Sequence, residues 1–495
     1  MSDFLAGAGL LVAAAASAAA ILLPPSRRRS GLMVLAMALF PVLIFGDQWH
    51  GAQIVDLRHH PVRIVALAVL AAAIVGALAC AFRRWTRLLP LAIVFAVPFR
   101  VPLHAGGESA NLLVPLYLVI AAGVMAAAVR DWGVPGAWRT RSALWLPRVL
   151  AFVVLLYALQ ALYSEDFSKA LQNVCFFLVP FTVAYALLRD VDWSPSLLRA
   201  VLVLLGVEAA LFVLVGSVEL AGRSLFWNDQ IIRSNEFHTY FRVNSVFWDP
   251  NVYGRYLALV TVTATAALLW TRSRRPFGLL VGLICVLWIG LVPTYSQSSF
   301  IALLAGLAVL AAIRWSPRWT LAAVAVGLVG ATLVVLLAGG SGKLTTNKIN
   351  VDLSGRGNLI SGGTDLFAQR PLQGYGSGSF QRAYAAHREN KDLPVTVSHT
   401  EPVTVAAEQG VVGLLAYLAL VAVALWTMGR GIWTSGPEPG TAGRAPRAAV
   451  LAAFVALLVH TLAYAGFFED PITWVLLAIG VSLAPAAVPA VRLRA

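Results

Sequence analysis

Residues 4–23 read FLAGAGLLVAAAASAAAILL, an uninterrupted apolar run that is long enough to cross a lipid bilayer as a helix. Two prolines follow the run, and the arginines Arg27 to Arg29 come directly after them. A cleaved signal peptide carries its positive charge before the apolar stretch and not after it. The run therefore predicts a retained membrane-spanning helix, and it indicates the fold class of the whole chain.

The remainder of the chain has the same apolar character. Of its 495 residues, 59% are hydrophobic and 12% are charged, and the mean hydropathy is +0.78, which excludes a water-soluble globular protein. The net charge of +14 does not indicate nucleic-acid binding, because the basic residues are distributed between the apolar runs. Cys80, Cys175 and Cys285 lie inside apolar segments without metal-ligand or disulfide spacing, so we interpret them as small core residues.

The apolar runs predict an all-α integral membrane protein, a polytopic bundle of about 13–15 transmembrane helices with one large extracytoplasmic loop. The count is a range because short runs, above all 88–99, can merge or re-enter. The runs lie near 4–23, 31–46, 63–82, 88–99, 111–129, 149–162, 171–188, 197–221, 250–270, 277–293, 299–313, 319–338, 403–428, 448–466 and 472–491.

The connections between these runs alternate between arginine-rich and arginine-poor segments. By the positive-inside rule the arginine-rich ones are cytoplasmic, which predicts a multi-pass protein of the cytoplasmic (inner) membrane with its C-terminus inside. The segments then placed outside are the N-terminus, 47–62, 100–110, 163–170, 222–249, 294–298, 339–402 and 467–471. We therefore expect a single membrane domain over residues 1–495, whose two longest loops, 222–249 and 339–402, both lie on the extracytoplasmic side.

The loop at 339–402 has internal structure of its own. Residues 358–369 predict a short amphipathic helix with Ser354 as its N-cap, ended by Arg370 and Pro371, and residues 380–388 predict a second helix. The three glycines between them indicate a tight turn. A phosphate-binding loop is not indicated, because no Gly-Lys-Ser/Thr follows the glycines and no strand precedes them.

Three basic side chains on the predicted outer side can carry chemistry. Arg356 lies at the start of the predicted helix, where backbone N–H groups and the helix dipole favour an anion such as phosphate. His399 stands before Pro402 at the mouth of the next span and can accept a proton from a hydroxyl. Arg242 precedes the head of another span and would add a second cation. The residues alone predict an anion-binding outer cavity with a candidate base, against the alternatives of lipid-anchoring arginines and a structural histidine.

The order of these elements along the chain is similar to one family of membrane enzymes. The matching segments are Ser354-Gly355-Arg356, Arg370-Pro371-Leu372-Gln373-Gly374-Tyr375-Gly376-Ser377-Gly378-Ser379-Phe380, His399 and Glu408-Gln409-Gly410-Val411-Val412-Gly413. Upstream, Arg242 with Asp249-Pro250-Asn251, and Pro293 to Ser298, match two further elements of the family. Residues 240–430 thus resemble the core of the O-antigen ligase and Wzy-type polymerase superfamily. Two positions depart from its pattern: Gln297 stands in place of an arginine, and Thr400 stands where asparagine is more common.

The resemblance implies a metal-independent, inverting glycosyltransferase without a cofactor. Such enzymes move a glycan from undecaprenyl diphosphate to a hydroxyl group of an acceptor on the outer face of the cytoplasmic membrane. The acceptor is a glycan or a lipid-linked sugar. By this resemblance His399 and Arg356 are catalytic, and Arg242 and Arg356 hold the diphosphate. The supporting residues would be Asn251, Arg370, Glu408 and Gly410.

Several alternatives remain open at this point. The motifs do not separate a ligase, which would transfer a finished glycan to a different acceptor, from a polymerase that extends the glycan. A transporter of lipid-linked glycans would need ionisable residues within the spans, for which Glu208, Glu219 and Arg255 are the candidates. A scaffolding protein would leave the loop motifs unexplained. The acidic pairs Glu165-Asp166 and Glu469-Asp470 can be catalytic, or they can cap helices and form ion pairs.

Overall fold

The computed structural model describes most of the chain as helix. The described residues are 3–49, 51, 55, 59–105, 108–133, 145–226, 228, 231–232, 235–236, 240–326, 346–387, 398–433 and 443–485. The helices of the first half are α1 (Asp3–Leu22), α2 (Arg27–Asp47), α3 (Pro61–Arg84), α4 (Leu88–Ala96), α5 (Val114–Gly133), α6 (Trp145–Ala161), α7 (Phe167–Asn173), α8 (Val179–Arg189) and α9 (Pro195–Gly222). The helices of the second half are α10 (Pro250–Trp270), α11 (Arg274–Leu291), α12 (Gln297–Arg314), α13 (Thr346–Gln369), α14 (Phe380–His387), α15 (Glu401–Gly429), α16 (Arg444–Thr461) and α17 (Pro471–Leu483).

The predicted all-α membrane fold is confirmed. Eleven helices of the described part are long and apolar enough to cross a membrane, and a π-helical turn at Val174–Leu178 joins α7 to α8 as one of these spans. Two shorter apolar helices, α6 and α17, bring the number to thirteen. A two-stranded antiparallel hairpin, β1 (Val101–Ala105) with β2 (Glu108–Leu112), is a small addition to the helical bundle.

Two of the predicted runs differ in the structure. The run at 88–99 forms only the nine-residue helix α4, about 13 Å long at 1.5 Å per residue and therefore shorter than a bilayer. Val97 still has helical backbone angles, but Pro98 has no backbone N–H to donate, so the helix cannot continue through it. The run at 319–338 is helical from 317 to 326, and its remainder lies outside the described residues.

The centre of the bundle is formed by α10, α12 and α16, which pack closely against one another. On one side α1 packs on α2 and α6, and α6 in turn packs on α15. Helix α13 of the large loop lies against α15 as well. The outer part of α15 is therefore the element on which the bundle and the large loop meet.

Several polar contacts between helices lie at the two ends of the bundle. Arg29 pairs with Asp190 and donates to the carbonyl of Ala186, and Arg447 donates to the carbonyl of Arg430 at 2.6 Å. All of these residues lie in or beside segments that the arginine distribution groups on one side of the membrane. At the other end the joined pairs are Ser168 and Asp47 (2.7 Å), Arg370 and Glu165 (2.8 Å), and Thr400 and Leu462 (3.1 Å). The fold thus brings together the connections that the charge pattern assigned to the same side.

Candidate functional site

Arg242 lies at the centre of a set of polar contacts between three chain segments. Its Nε donates to the carbonyl of Thr294 at 2.9 Å, and its Nη2 donates to Oδ1 of Asn251 at 3.2 Å. The backbone N–H of Arg242 donates to Oδ1 of Asn235 at 3.0 Å. The segments that resemble the family's arginine, Pro-Asn and Thr-x-Ser elements are therefore joined through one guanidinium.

A buried carboxylate, that of Glu219, forms hydrogen bonds with the backbone of the segment that carries Arg242. Oε2 of Glu219, on α9, accepts hydrogen bonds from the backbone N–H groups of Asn244 (3.2 Å) and Ser245 (2.7 Å). Ser245 has a φ of 53°, a strained conformation for a residue other than glycine. Since Glu219 is fully buried, its two backbone contacts fix the position from which Arg242 projects.

His399 lies at the entry to α15, immediately before the N-cap residue Thr400. It has a φ of 59° and is partly exposed. The centre of its imidazole ring is 6.5 Å from that of Tyr464, which lies in the connection between α16 and α17. An accessible imidazole in a fixed, strained backbone position is suited to accept a proton from a bound hydroxyl.

Tyr464 links His399 to the segment that holds Arg242. Its phenol is buried next to Asp249, and burial together with this carboxylate raises the pKa of Tyr464, which keeps the phenol neutral. Asp249 is the N-cap of α10, where its Oδ1 accepts from the backbone N–H of Asn251 at 2.6 Å. The path from His399 through Tyr464 and Asp249 to Asn251 therefore ends at a direct partner of Arg242.

Arg100 adds a further cation to the same region. It lies between α4 and the β-hairpin, is half-buried, and is close enough to Tyr464 to act electrostatically on the pKa of that phenol, in the direction opposite to burial and Asp249. The short helix α4 and the hairpin thus position Arg100 near the site. Arg100 and Tyr464 were missed from the sequence, since one is an isolated arginine in an outer loop and the other a tyrosine without a motif.

A second histidine, His460, also lies beside Tyr464, with ring centres 5.9 Å apart. Its Nε2 is 3.2 Å from Oγ of Ser298 and 3.4 Å from Oγ of Ser299. His460 has no exposed surface, whereas His399 is partly exposed. Access to a substrate hydroxyl therefore favours His399 as the base and gives His460 a packing role beneath it.

The glycine-rich turn of the large loop is hydrogen-bonded into a break in α15. Gly410 has a φ of 64° and a ψ of −165° inside the helix, so the helical hydrogen bonds are interrupted there. The backbone N–H groups of Tyr375 and Gly376 donate to the carbonyls of Ala407 (3.1 Å) and Glu408 (2.7 Å), and Val411 donates to the carbonyl of Pro371 (2.7 Å). We call residues 371–378 with 407–411 the interlock.

Side chains complete the interlock at both ends. Oε2 and Oε1 of the buried Glu408 accept from the N–H groups of Gly378 (2.8 Å) and Phe380 (3.1 Å). Arg370 forms an ion pair with Glu165 at 2.8 Å, and its guanidinium lies 4.2 Å from the ring centre of Tyr375. These contacts give Arg370, Glu408 and Gly410 positions in which they shape the loop, and the glycine turn is a tight turn, as the sequence predicts.

The start of α13 corrects one prediction. The helix ends at Gln369, as predicted, but it begins at Thr346, so Ser354 is not its N-cap and Arg356 is not in its first turn. Ile349 and Leu353, four residues apart, have the spacing of one helix face, so the helix extends on the N-terminal side of Gly355 and Gly357. The argument that the helix dipole favours an anion at Arg356 therefore fails. The side chain of Arg356 lies outside the described residues.

Helix α13 is nevertheless docked close to His399. A Cβ built on Gly363 would be 2.5 Å from Cγ1 of Val403 and 3.1 Å from Phe380, so only glycine allows this approach to α15. Val403 follows His399 by one helical turn. Position 356 precedes Gly363 by two turns on the same face of α13, about 10 Å along the helix axis.

The remaining polar candidates other than Glu469 have structural partners. Asp166 and Asp470 are the N-caps of α7 and α17, and Asp470 also pairs with the buried Arg255 at 2.9 Å. Oε2 of Glu208 accepts from the Tyr256 hydroxyl at 3.0 Å. These four ionisable residues, like Glu219 and Glu165, take the capping and pairing roles that were the alternative to catalysis or transport. Among the described residues, no group of three or more His, Cys, Asp or Glu is arranged to hold a metal ion.

Comparison with known families identifies part of this region. Residues 282–418 match the family described as O-antigen ligase, a segment that includes Arg356, Arg370, His399, Glu408 and Gly410. No curated protein sequence matches the chain significantly. The family match confirms the predicted resemblance to the O-antigen ligase and Wzy-type superfamily.

Proposed function

We propose that this chain is an inverting glycosyltransferase, which the match of residues 282–418 to the O-antigen ligase family supports. Its donor is a glycan on undecaprenyl diphosphate, and its acceptor is a hydroxyl of a glycan or a lipid-linked sugar. The observation that carries the proposal is the link between His399 and Arg242 through Tyr464, Asp249 and Asn251. The reaction takes place at the outer face of the cytoplasmic membrane, where the positive-inside rule puts these residues.

The proposed reaction is a single displacement at the anomeric carbon. His399 accepts the proton of the acceptor hydroxyl while its oxygen forms the new bond to the anomeric carbon. The bond from this carbon to the diphosphate oxygen breaks, and the undecaprenyl diphosphate leaves with the bonding electrons. Arg242 and Arg356 bind the leaving diphosphate, and their charges stabilise the negative charge that develops on it. The proton on His399 then passes to solvent.

Two features of the site support this assignment of roles. Asn251 and Thr294 bind Arg242 through its Nη2 and Nε, which directs a planar guanidinium that can bind phosphate oxygens in a fork. Arg100 places a further positive charge near Tyr464. Positive charges beside a partly exposed histidine are what a diphosphate leaving group and a hydroxyl acceptor require.

An apolar cavity next to the site supports a lipid-linked donor. The cavity has a volume of about 350 Å³ and lies between α4, α9, α10, α16 and α17. Its walls are mostly aliphatic, and they extend from Val97 and Ile472, toward the outer end of the bundle, to Pro195, Arg199 and Pro446 at the cytoplasmic end. Such a cavity suits an isoprenoid chain better than a nucleotide sugar, because burial of methyl and methylene groups is favourable without polar partners.

Transfer of a radiolabelled glycan from undecaprenyl diphosphate by the purified protein tests the proposal. We expect His399→Ala to lower the rate by about 10²–10⁴-fold and Arg242→Ala or Arg356→Ala by about 10²–10³-fold. Arg382→Ala, at an exposed position of the neighbouring helix α14, is the matched control and should transfer at the parent rate. The proposal fails if the parent protein transfers no glycan to any acceptor, or if the three variants remain fully active.

The size of the product separates the two forms of the enzyme. A ligase gives one product of fixed mass on a different acceptor, whereas a polymerase gives a ladder of glycan lengths on the carrier. A transporter is disfavoured by the structure, because Glu208, Glu219 and Arg255 are each bound to a protein partner. Movement of the labelled lipid across the vesicle membrane without transfer of its glycan would support the transporter hypothesis instead.

A further inference from the structure

A cavity of about 600 Å³ lies at the end of the bundle opposite to the candidate site. It is bounded by α2, α3, α4, α5, α8 and α9, and its lining includes the arginine-rich connection between α3 and α4. By the positive-inside rule this is the cytoplasmic end, at the depth of the lipid headgroups. The glycosyl-transfer chemistry of the outer site makes no use of it.

Four arginines and three aspartates line the cavity, which gives its lining a formal charge of +1. Arg29 is paired with Asp190, and Arg130 is paired with Asp131. Arg83 and Arg87 form no ion pair or hydrogen bond within the part of the chain that the structure describes, although both line the cavity. Two exposed arginines therefore line this space without a protein anion bound to them.

The position of Arg87 adds to this observation. It is the N-cap residue of α4 and makes no side-chain capping hydrogen bond. A cation at a helix N-terminus is electrostatically unfavourable, because the helix dipole places partial positive charge there. Arg87 therefore places a positive charge at this helix end that an external anion would stabilise.

The buried Arg29 points to the same kind of ligand. Its side chain is 3% exposed and lines the cavity, and its Nε has no hydrogen-bond partner in the described part of the chain. A buried guanidinium donor without an acceptor is costly. An oxygen of a bound anion would complete its hydrogen bonding.

The cavity also has an apolar wall between the helices. Met33, Phe82, Leu89 and Leu197 line it together with the arginines. Helix α3, which carries Phe82 and Arg83, packs on α5, yet only 6% of its apolar stretch is buried. An amphiphile with an anionic head and acyl chains would therefore meet the arginines and the apolar wall at once, and it would fasten α3 to the bundle.

We propose that this cavity binds the phosphate headgroup of an anionic phospholipid, with Arg83, Arg87 and Arg29 as its ligands. Basic pockets between membrane helices bind anionic headgroups in this way. The shared chemistry is a phosphate ester, and the apolar wall favours a lipid over a free phosphate compound. The site is separate from the outer cavity, so the proposal does not depend on the proposed transferase activity.

The test uses the full-length protein in neutral detergent, titrated with phosphatidylglycerol, with phosphatidylcholine, or with inorganic phosphate. Bound lipid is counted by native mass spectrometry, and protection of α3 is followed by hydrogen exchange. We expect phosphatidylglycerol to bind and to protect α3. In the double variant Arg83→Gln/Arg87→Gln the affinity should fall about 30-fold, equivalent to about 2 kcal/mol at 1.4 kcal/mol per tenfold.

Two controls keep the test specific. Arg84→Gln is the matched single variant, because Arg84 lies over the ring of Trp85 and does not line the cavity. The variant Arg83→Lys/Arg87→Lys keeps both charges and should keep most of the affinity, which separates loss of the site from loss of the fold. Equal binding of phosphatidylcholine, or unchanged affinity in the glutamine variant, overturns the proposal. Protection by inorganic phosphate alone assigns the site to a soluble phosphate compound and overturns the lipid.

Discussion

Replacement of Gly410 by alanine should open the interlock between the large loop and α15. At a φ of 64° and a ψ of −165°, the backbone is in a region that is almost exclusive to glycine, which costs an L-residue about 1–3 kcal/mol. A Cβ at this position would also be 2.3 Å from the carbonyl oxygen of Leu372. The loop backbone must therefore move away from the helix.

The movement breaks the three backbone hydrogen bonds that join Tyr375, Gly376 and Val411 to the opposite segment. Each contributes about 1 kcal/mol net, and together with the strain at Gly410 the loss is about 4 kcal/mol. At 1.4 kcal/mol per tenfold, local opening of the interlock becomes roughly 1,000-fold more frequent. Hydrogen exchange in peptides that cover residues 371–378 measures this directly.

Two variants set the scale of this measurement. Gly282→Ala, in α11, meets no atom within 4 Å and should leave exchange in the interlock unchanged, since alanine is the better helix former. Tyr163→Phe removes one hydrogen bond to the carbonyl of Gln373 and should accelerate exchange by tenfold or less. Exchange within threefold of the parent in Gly410→Ala would refute the reasoning.

Three further predictions concern the site and its support. Arg242→Lys should lower kcat/KM by about tenfold or more, because an ammonium group cannot hold both partners of the guanidinium; steady-state kinetics with varied donor checks this, and equal kinetics would contradict it. Arg100→Gln should raise the donor KM several-fold with little change in kcat, and a fall in kcat alone would contradict a role in donor binding. Arg370→Ala should lower the free energy of unfolding in mixed detergent by only about 1 kcal/mol, because its partner Glu165 and Arg370 itself are 32% and 43% exposed.

Much of the fold could be predicted from the apolar runs. Thirteen of them form long or moderately long apolar helices, because each span must satisfy its own backbone hydrogen bonds within the bilayer. The end of α13 at Gln369 and the start of α14 at Phe380 were also predicted correctly, since a proline and a series of glycines mark them. These signals are local, and each is contained in a few consecutive residues.

The parts that could not be predicted depend on contacts between distant segments. The start of α13 was placed too late, because Ser354 and the glycines beside it resemble a helix start. The approach of Arg100 and Tyr464 to Asp249 has no periodicity in the sequence that would reveal it. Arg242 and His399 were predicted from the residues and Asn251 through the resemblance, but their connection through Tyr464 depends on the packing of the helices.

The interlock also sets a rule for how this protein can change in length. The carbonyls of Ala407 and Glu408, exposed by the break at Gly410, each accept from one particular N–H of residues 371–378, and the Glu408 carboxylate accepts from Gly378 and Phe380. One inserted or deleted residue in that stretch would shift this register and leave buried donors without acceptors. Epitope tags, cleavage sites and natural length variation should therefore be excluded from residues 371–380.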